Sequence, residues 1–128
     1  MSVQIAIDER GGFMRVTLTG PLGFEAFVES FEALVSHASY RPGVNALWDL
    51  REAPLVGLPT ETLRRIIRFS AERRELRRGA RVAAVVSSDA DFGVARIFEA
   101  VAADLPIQFQ VFRDIGEAEV WVGGPHPD

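Results

Sequence analysis

Cysteine and lysine are both missing from this chain of 128 residues, and histidine occurs only at His37 and His126. Without cysteine there is no thiol nucleophile, no Cys-ligated zinc and no disulfide framework, which leaves the redox compartment open. Without lysine there is no P-loop lysine, and the glycines never fall into G-x-G-x-x-G spacing, so dinucleotide and P-loop chemistry are set aside. No acidic run has the D-x-D-x-D-G spacing of a calcium loop and no His–carboxylate set is present, so neither a metal nor a cofactor is expected. Long apolar runs are missing too: none approaches the roughly 18 residues that span a bilayer, and Met1-Ser2-Val3-Gln4 is not the start of a secretion signal. A bacterial-type cytoplasmic protein is the resulting expectation.

The remaining composition is that of an ordinary globular chain: 48% hydrophobic, 25% charged, with a net charge of −4. One domain is expected over residues 1–122, followed by a loose Gly/Pro tail over 123–128. Val3 to Ile7 and Phe13 to Thr19 alternate apolar and polar residues around the turn chemistry of Asp8 to Gly12, which predicts an N-terminal β-hairpin. Phe24, Phe27, Val28, Phe31, Leu34 and Val35 recur at helical spacing, and Val44 to Leu50 then reads as a short strand holding Trp48. Thr60 is placed to cap a helix running to about Arg78, stopped by Gly79. Arg81 to Val86 is almost wholly apolar, the pattern of a strand covered on both faces. Val94, Ile97, Phe98, Val101 and Leu105 form a third helical stripe, Ile107 to Phe112 a last strand, and Asp114 with Glu117 a capping box for a fourth helix. The order ββαβαβαβα predicts an α/β fold, with a five-stranded, mostly parallel sheet, an N-terminal hairpin and about four helices.

In such a sheet the parallel strands end at one edge, where open α/β folds tend to bind ligands. That carboxyl edge gathers Asp49 and Arg51, the apolar loop with Leu55, Val56 and Leu58, then Ser87, Ser88, Asp91 and Phe92, with Arg96 one turn further on. An apolar loop beside polar groups is how ligand pockets are usually composed. Set against this, Ser87 to Asp91 read as helix caps and turns, Trp48 as a core aromatic, and Arg96 as the partner of Asp91 or Glu99 in a structural ion pair. A Ser-His-Asp triad is not expected, because His37 lies near the far end of a helix about 20 Å long.

Eight arginines between Arg64 and Arg81 face only Glu72 and Glu75. Arg73 and Arg77 continue the apolar stripe of Ile66, so the inward face of that helix turns charged near its end. Arginine stems covering apolar surface explain the cluster better than a nucleic-acid partner, since aromatic stacking residues do not interleave the patch, and nucleic acid is not expected.

Arg81 to Asp89, then Phe92-Gly93-Val94-Ala95-Arg96-Ile97-Phe98-Glu99, Val111 to Asp114, and Leu47-Trp48-Asp49-Leu50-Arg51 together resemble the SpoIIAA-like family. These are small bacterial STAS-type domains, also grouped with the SEC14 lipid-binding fold. The resemblance covers nearly the whole chain and implies a non-enzymatic binding or regulatory domain. It also implies a departure: anti-anti-sigma relatives carry a phosphorylated serine in an Asp-Ser-Ser-Gly-like turn after the third strand. Here Asp49 to Pro54 and Pro59 to Thr62 hold no serine, Thr60 is the nearest substitute, and no phosphorylation switch is expected. The leading reading is a domain that contacts a protein partner or a small apolar ligand at the carboxyl edge, with a homodimer as one way to cover the apolar loop. The second is an acyl-chain carrier of SEC14-like type, which a core filled by Phe24, Phe27, Phe31, Phe69 and Phe98 would oppose. The third is an enzyme working through Asp49, Arg51, Ser88, Asp91 and Arg96.

Overall fold

A computed structural model describes residues 3–123. The elements are β1 (Gln4–Arg10), β2 (Phe13–Thr19), α1 (Phe24–Val35), β3 (Asn45–Glu52), α2 (Thr60–Glu72), β4 (Arg81–Val85), α3 (Asp89–Ala102), β5 (Gln108–Phe112) and α4 (Ile115–Gly123), with a 3₁₀ turn over Arg74–Arg77. The expected ββαβαβαβα order is therefore present. Gly11 and Gly12, both at positive φ, form a two-residue turn between the antiparallel strands β1 and β2, a backbone that side-chain-bearing residues resist. Asp8 to Arg10, read as turn, instead extend β1.

The remaining pairings are parallel, and the strand order along the sheet is β1-β2-β3-β4-β5. Adding strands always to the same side with right-handed crossovers stacks α1, α2 and α3 on one face. Alternation along the strands sorts the core accordingly. Met14, Val16, Leu18, Ala46, Trp48, Leu50, Val82 and Ala84 meet those three helices. Phe13, Leu47, Ala83, Val85 and Phe112 point the other way and are covered by Ala118 and Val122 of α4. All five β4 residues are buried, as a strand covered on both faces requires. Asn45 ties the layers together, donating to the Val122 carbonyl at 2.8 Å and accepting from the Arg81 amide at 2.8 Å.

Two helix ends differ from the sequence reading. The second helix does not run to Arg78; α2 stops at Glu72 and the chain tightens into the 3₁₀ turn. The freed carbonyls are met by arginine side chains: Arg73 donates to Phe69, Arg77 to Ser70 and Arg74 to Ala71. Those bonds satisfy acceptors that a helix end otherwise leaves to water. Nor does Thr60 cap α2, since Pro59 holds that position and Thr60 is the first helical residue, exposed. Proline's fixed φ, here −61°, suits a helix entry and leaves no side-chain cap. Ser88 does cap α3, its Oγ accepting from the Asp91 amide at 3.1 Å, and Asp114 caps α4 by accepting from Gly116 and Glu117. Gly123 closes α4, so the tail expected over 123–128 otherwise lies outside the described residues, as does His126. Among the described residues no helix is long and apolar enough to cross a membrane.

Candidate functional site

Strand order has a consequence for where a ligand could sit. Crevices at the carboxyl edge of α/β sheets form where the winding reverses; this sheet adds its strands in one direction throughout, and its edge carries an open hollow lined by Thr17, Leu18, Asp49, Arg51 and Glu52. The edge is otherwise a surface of loops whose polar groups are mostly engaged with one another.

Asp49, near the end of β3, is buried and faces the α4 side. It accepts from the Arg51 guanidinium at 2.9 and 2.8 Å and from Arg15 at 3.0 Å, and Arg15 also reaches Glu119 of α4. Burial alone would raise the Asp49 carboxyl, but the side-chain and backbone hydrogen bonds from Arg51 and the bond from Arg15 outweigh it and hold its pKa below the usual aspartate value. Across the edge, Ser87 offers its carbonyl to Arg113, which also pairs with Asp89. Arg96 pairs with Glu99 at 3.0 Å rather than with Asp91, and its guanidinium lies over the Phe92 ring.

Asp91 has another role. Only 2% exposed, it turns back from the first turn of α3, and its Oδ1 accepts the backbone N–H of Leu55 at 3.0 Å and of Val56 at 2.8 Å. One carboxylate thereby fixes the loop between β3 and α2. The apolar side chains of that loop then divide. Leu55, 7% exposed, and the half-buried Leu58 turn inward, whereas Val56 is 59% exposed. The chain's own core thus covers two of the three apolar residues of the loop.

Leu55 and Leu58 belong to the lining of a partly open cavity of about 80 Å³. It lies between the sheet and the α1–α3 layer, walled by Trp48 and Leu50 of β3, Val82 and Ala84 of β4, and Leu63 and Ile66 of α2. Aromatic packing is dense on the α1 side, where Phe69 meets Phe24, Phe27 and Phe31 edge-on and Phe27 stacks on Trp48 at 5.5 Å. The filled core expected from those phenylalanines is therefore real at α1 but leaves space beside them. Trp48 is both core residue and cavity wall.

Arg77 is the charged member of the lining, and reading the carboxyl edge alone missed it. It is 9% exposed; one terminal nitrogen donates to the Ser70 carbonyl at 3.0 Å, and the guanidinium lies 5.6 Å from the Phe31 ring centroid. Its Nε and the buried Ser70 Oγ have no hydrogen-bond partner. Burial pushes the guanidinium below the usual arginine value, opposed only by the Tyr40 hydroxyl. The signal in the sequence was the placement of Arg73 and Arg77 on the apolar stripe. Arg65 and Arg73 cover apolar rings, over Phe24 at 4.0 Å and over Phe69 at 3.6 Å, whereas Arg64 and Arg78 pair at the surface with Glu61 and Glu75.

An α/β sheet with an N-terminal hairpin, three helices on one face and one on the other has counterparts among solved structures. An uncharacterised protein with a SpoIIAA-like fold from Shewanella loihica matches with a TM-score of 0.63 and 19% identity, over 94% of each chain. An anti-sigma factor antagonist from Mycobacterium paratuberculosis matches with a TM-score of 0.63 and 16% identity, over 96% of each chain. No protein-family model and no curated protein matches the sequence. The chain has a SpoIIAA-like fold, as its Phe92 to Glu99 segment and its element order led us to expect.

Proposed function

We propose that this chain is a non-enzymatic regulatory domain that engages a protein partner at its carboxyl edge through the loop of residues 53–58. The observation that carries this reading is the Asp91 clamp, which spends a buried carboxylate on holding Val56 in the open. Loops held rigid by a scaffold are where proteins place recognition residues. Arg51 and Glu52 flank the loop with exposed charge, giving an apolar contact with a polar rim. The likeness to an anti-sigma factor antagonist supports the class, though fold by itself does not name a partner. Asp49, Arg51, Ser88, Asp91 and Arg96 are all occupied in ion pairs, caps or clamps, which favours this reading over an enzyme.

The long-chain carrier reading gains little, because about 80 Å³ is far less than a fatty acyl chain needs. A homodimer through Val56 is the version of the partner reading in which the partner is a second copy.

The test compares affinity capture by the wild-type protein, by Val56→Asp and by Val120→Asp, a similarly exposed valine on α4. A specific partner, or a second copy, retained by wild type and Val120→Asp but lost with Val56→Asp is the expected result. Equal retention by all three overturns the assignment of the loop.

A further inference from the structure

We propose that the cavity beneath α2 binds a small monocarboxylate of about four to six carbons, its carboxylate paired with the Arg77 guanidinium, a size set by a water needing about 10–15 Å³ in the same measure. Arginine keeps its charge in proteins, and taking that charge out of water without a counter-ion costs several kcal/mol as a rule. Arg77 is nine-tenths buried, and among the described residues no carboxylate pairs with it. Its Nε points a donor at nothing, a rare condition for a buried polar atom. A carboxylate entering the cavity supplies the missing charge and can accept a charge-assisted hydrogen bond from the guanidinium.

The rest of the lining selects the other end of the ligand. Apart from Arg77 the residues are aliphatic, aromatic or alanine, so a second carboxylate, a phosphate or a hydroxyl would be buried unpaired. An apolar chain loses nothing there. The volume sets the length: about 80 Å³ is room for about five to eight non-hydrogen atoms. Pentanoate, with seven, fits; a long-chain fatty acid does not. Leu55 and Leu58 make the loop held by Asp91 part of the cavity wall. The inference concerns the interior and stands apart from the edge reading, so the failure of either leaves the other untouched.

The test is a titration of the full chain, carrying ¹³C-labelled Leu and Val methyls, with pentanoate, pentan-1-ol and hexadecanoate. Saturable shifts at the Leu55, Leu58, Leu63, Val82 and Val94 methyls are expected from pentanoate, about tenfold tighter than from pentan-1-ol because of the charge-assisted pair. Arg77→Leu is expected to remove that advantage while leaving pentan-1-ol binding within about twofold, which also shows that the cavity has survived. Should Arg77→Leu fail to fold, Arg77→Lys keeps a cation and is expected to hold pentanoate above pentan-1-ol. Equal binding of acid and alcohol by the wild-type protein, or an undiminished preference for the acid in Arg77→Leu, overturns the proposal. Hexadecanoate outcompeting pentanoate at these methyls overturns the size limit and returns the weight to a lipid carrier.

Discussion

Asp91 Oδ1 accepts the amide N–H of Val56 at 2.8 Å across 35 residues of sequence, and the N–H of Leu55 beside it. The bond joins the first turn of α3 to a loop that belongs to neither of its neighbouring strands. Both donors lose their partner in Asp91→Ala, and a hydrogen bond to a charged group contributes about 1.5–3 kcal/mol. Asp91→Ala is therefore expected to lower stability by about 2–4 kcal/mol in urea unfolding and to speed amide exchange at Leu55 and Val56. Asp91→Asn retains an oxygen acceptor and is expected to lose about half as much. Exchange at those two amides that stays at the wild-type rate in Asp91→Ala would remove the clamp from the account.

Charge placed on the loop separates its two adjacent apolar residues. Leu55 sits in the cavity wall at 7% exposure, so Leu55→Asp buries an unpaired carboxylate and is expected to cost about 4 kcal/mol or more. Val56 stands in solvent, and Val56→Asp is expected to fall within about 0.5 kcal/mol of wild type. Thermal unfolding of the two variants reads the difference directly. Comparable losses in both would mean that Val56 is covered in solution, as a second copy of the chain would cover it.

Local signals carried the fold, and long-range ones carried the site. The alternation of β2, the apolar run of Arg81 to Val85 and the stripe of α1 each follow from periodicity within a dozen residues, so the element order was legible. Helix ends were less so: Pro59 displaced Thr60 as the entry of α2, and Arg73, Arg74 and Arg77 ended the same helix by bonding its carbonyls, a function that a charge run does not announce. The carboxyl edge was the right place to find Asp91 and Leu55, but their partnership spans 36 residues and has no sequence pattern. The cavity is lined from three helices and four strands at once, an outcome of long-range packing that composition does not encode.

Arg77 can be tested for stability as well as for binding. Replacing it with leucine strips one charge-assisted bond from the Ser70 carbonyl, worth about 1.5–3 kcal/mol, and the contact with Phe31. It also removes a buried cation that no carboxylate offsets, which is expected to outweigh the loss. Arg77→Leu should thus match or exceed wild-type stability by up to about 2 kcal/mol in urea unfolding. Arg73→Ala, which gives up the stack on Phe69 and a bond to its carbonyl without relieving any buried charge, should lose about 1 kcal/mol. A larger loss in Arg77→Leu than in Arg73→Ala would show that the buried charge is already compensated inside the protein.

Asp49 gives the fold an acid-sensitive component. Its carboxyl pKa is lowered in the folded state, because the bonds from Arg51 and Arg15 overcome the effect of burial. A group lowered on folding adds stability that is complete above its unfolded value and is lost as the pH falls through its folded value. Stability should consequently drop as the pH is taken from neutral through and below the ordinary carboxylate range. Asp49→Asn removes the charge while keeping the shape, leaving Arg15 with Glu119 alone, and at neutral pH it is expected to cost about 1–3 kcal/mol. That deficit should shrink steadily on acidification, since the wild-type carboxylate is then being neutralised too. Urea unfolding of both proteins at a series of pH values from 7 to below 4 measures the gap between the curves. Converging curves assign the acid limb to Asp49, and parallel ones would place the proton uptake on another carboxylate.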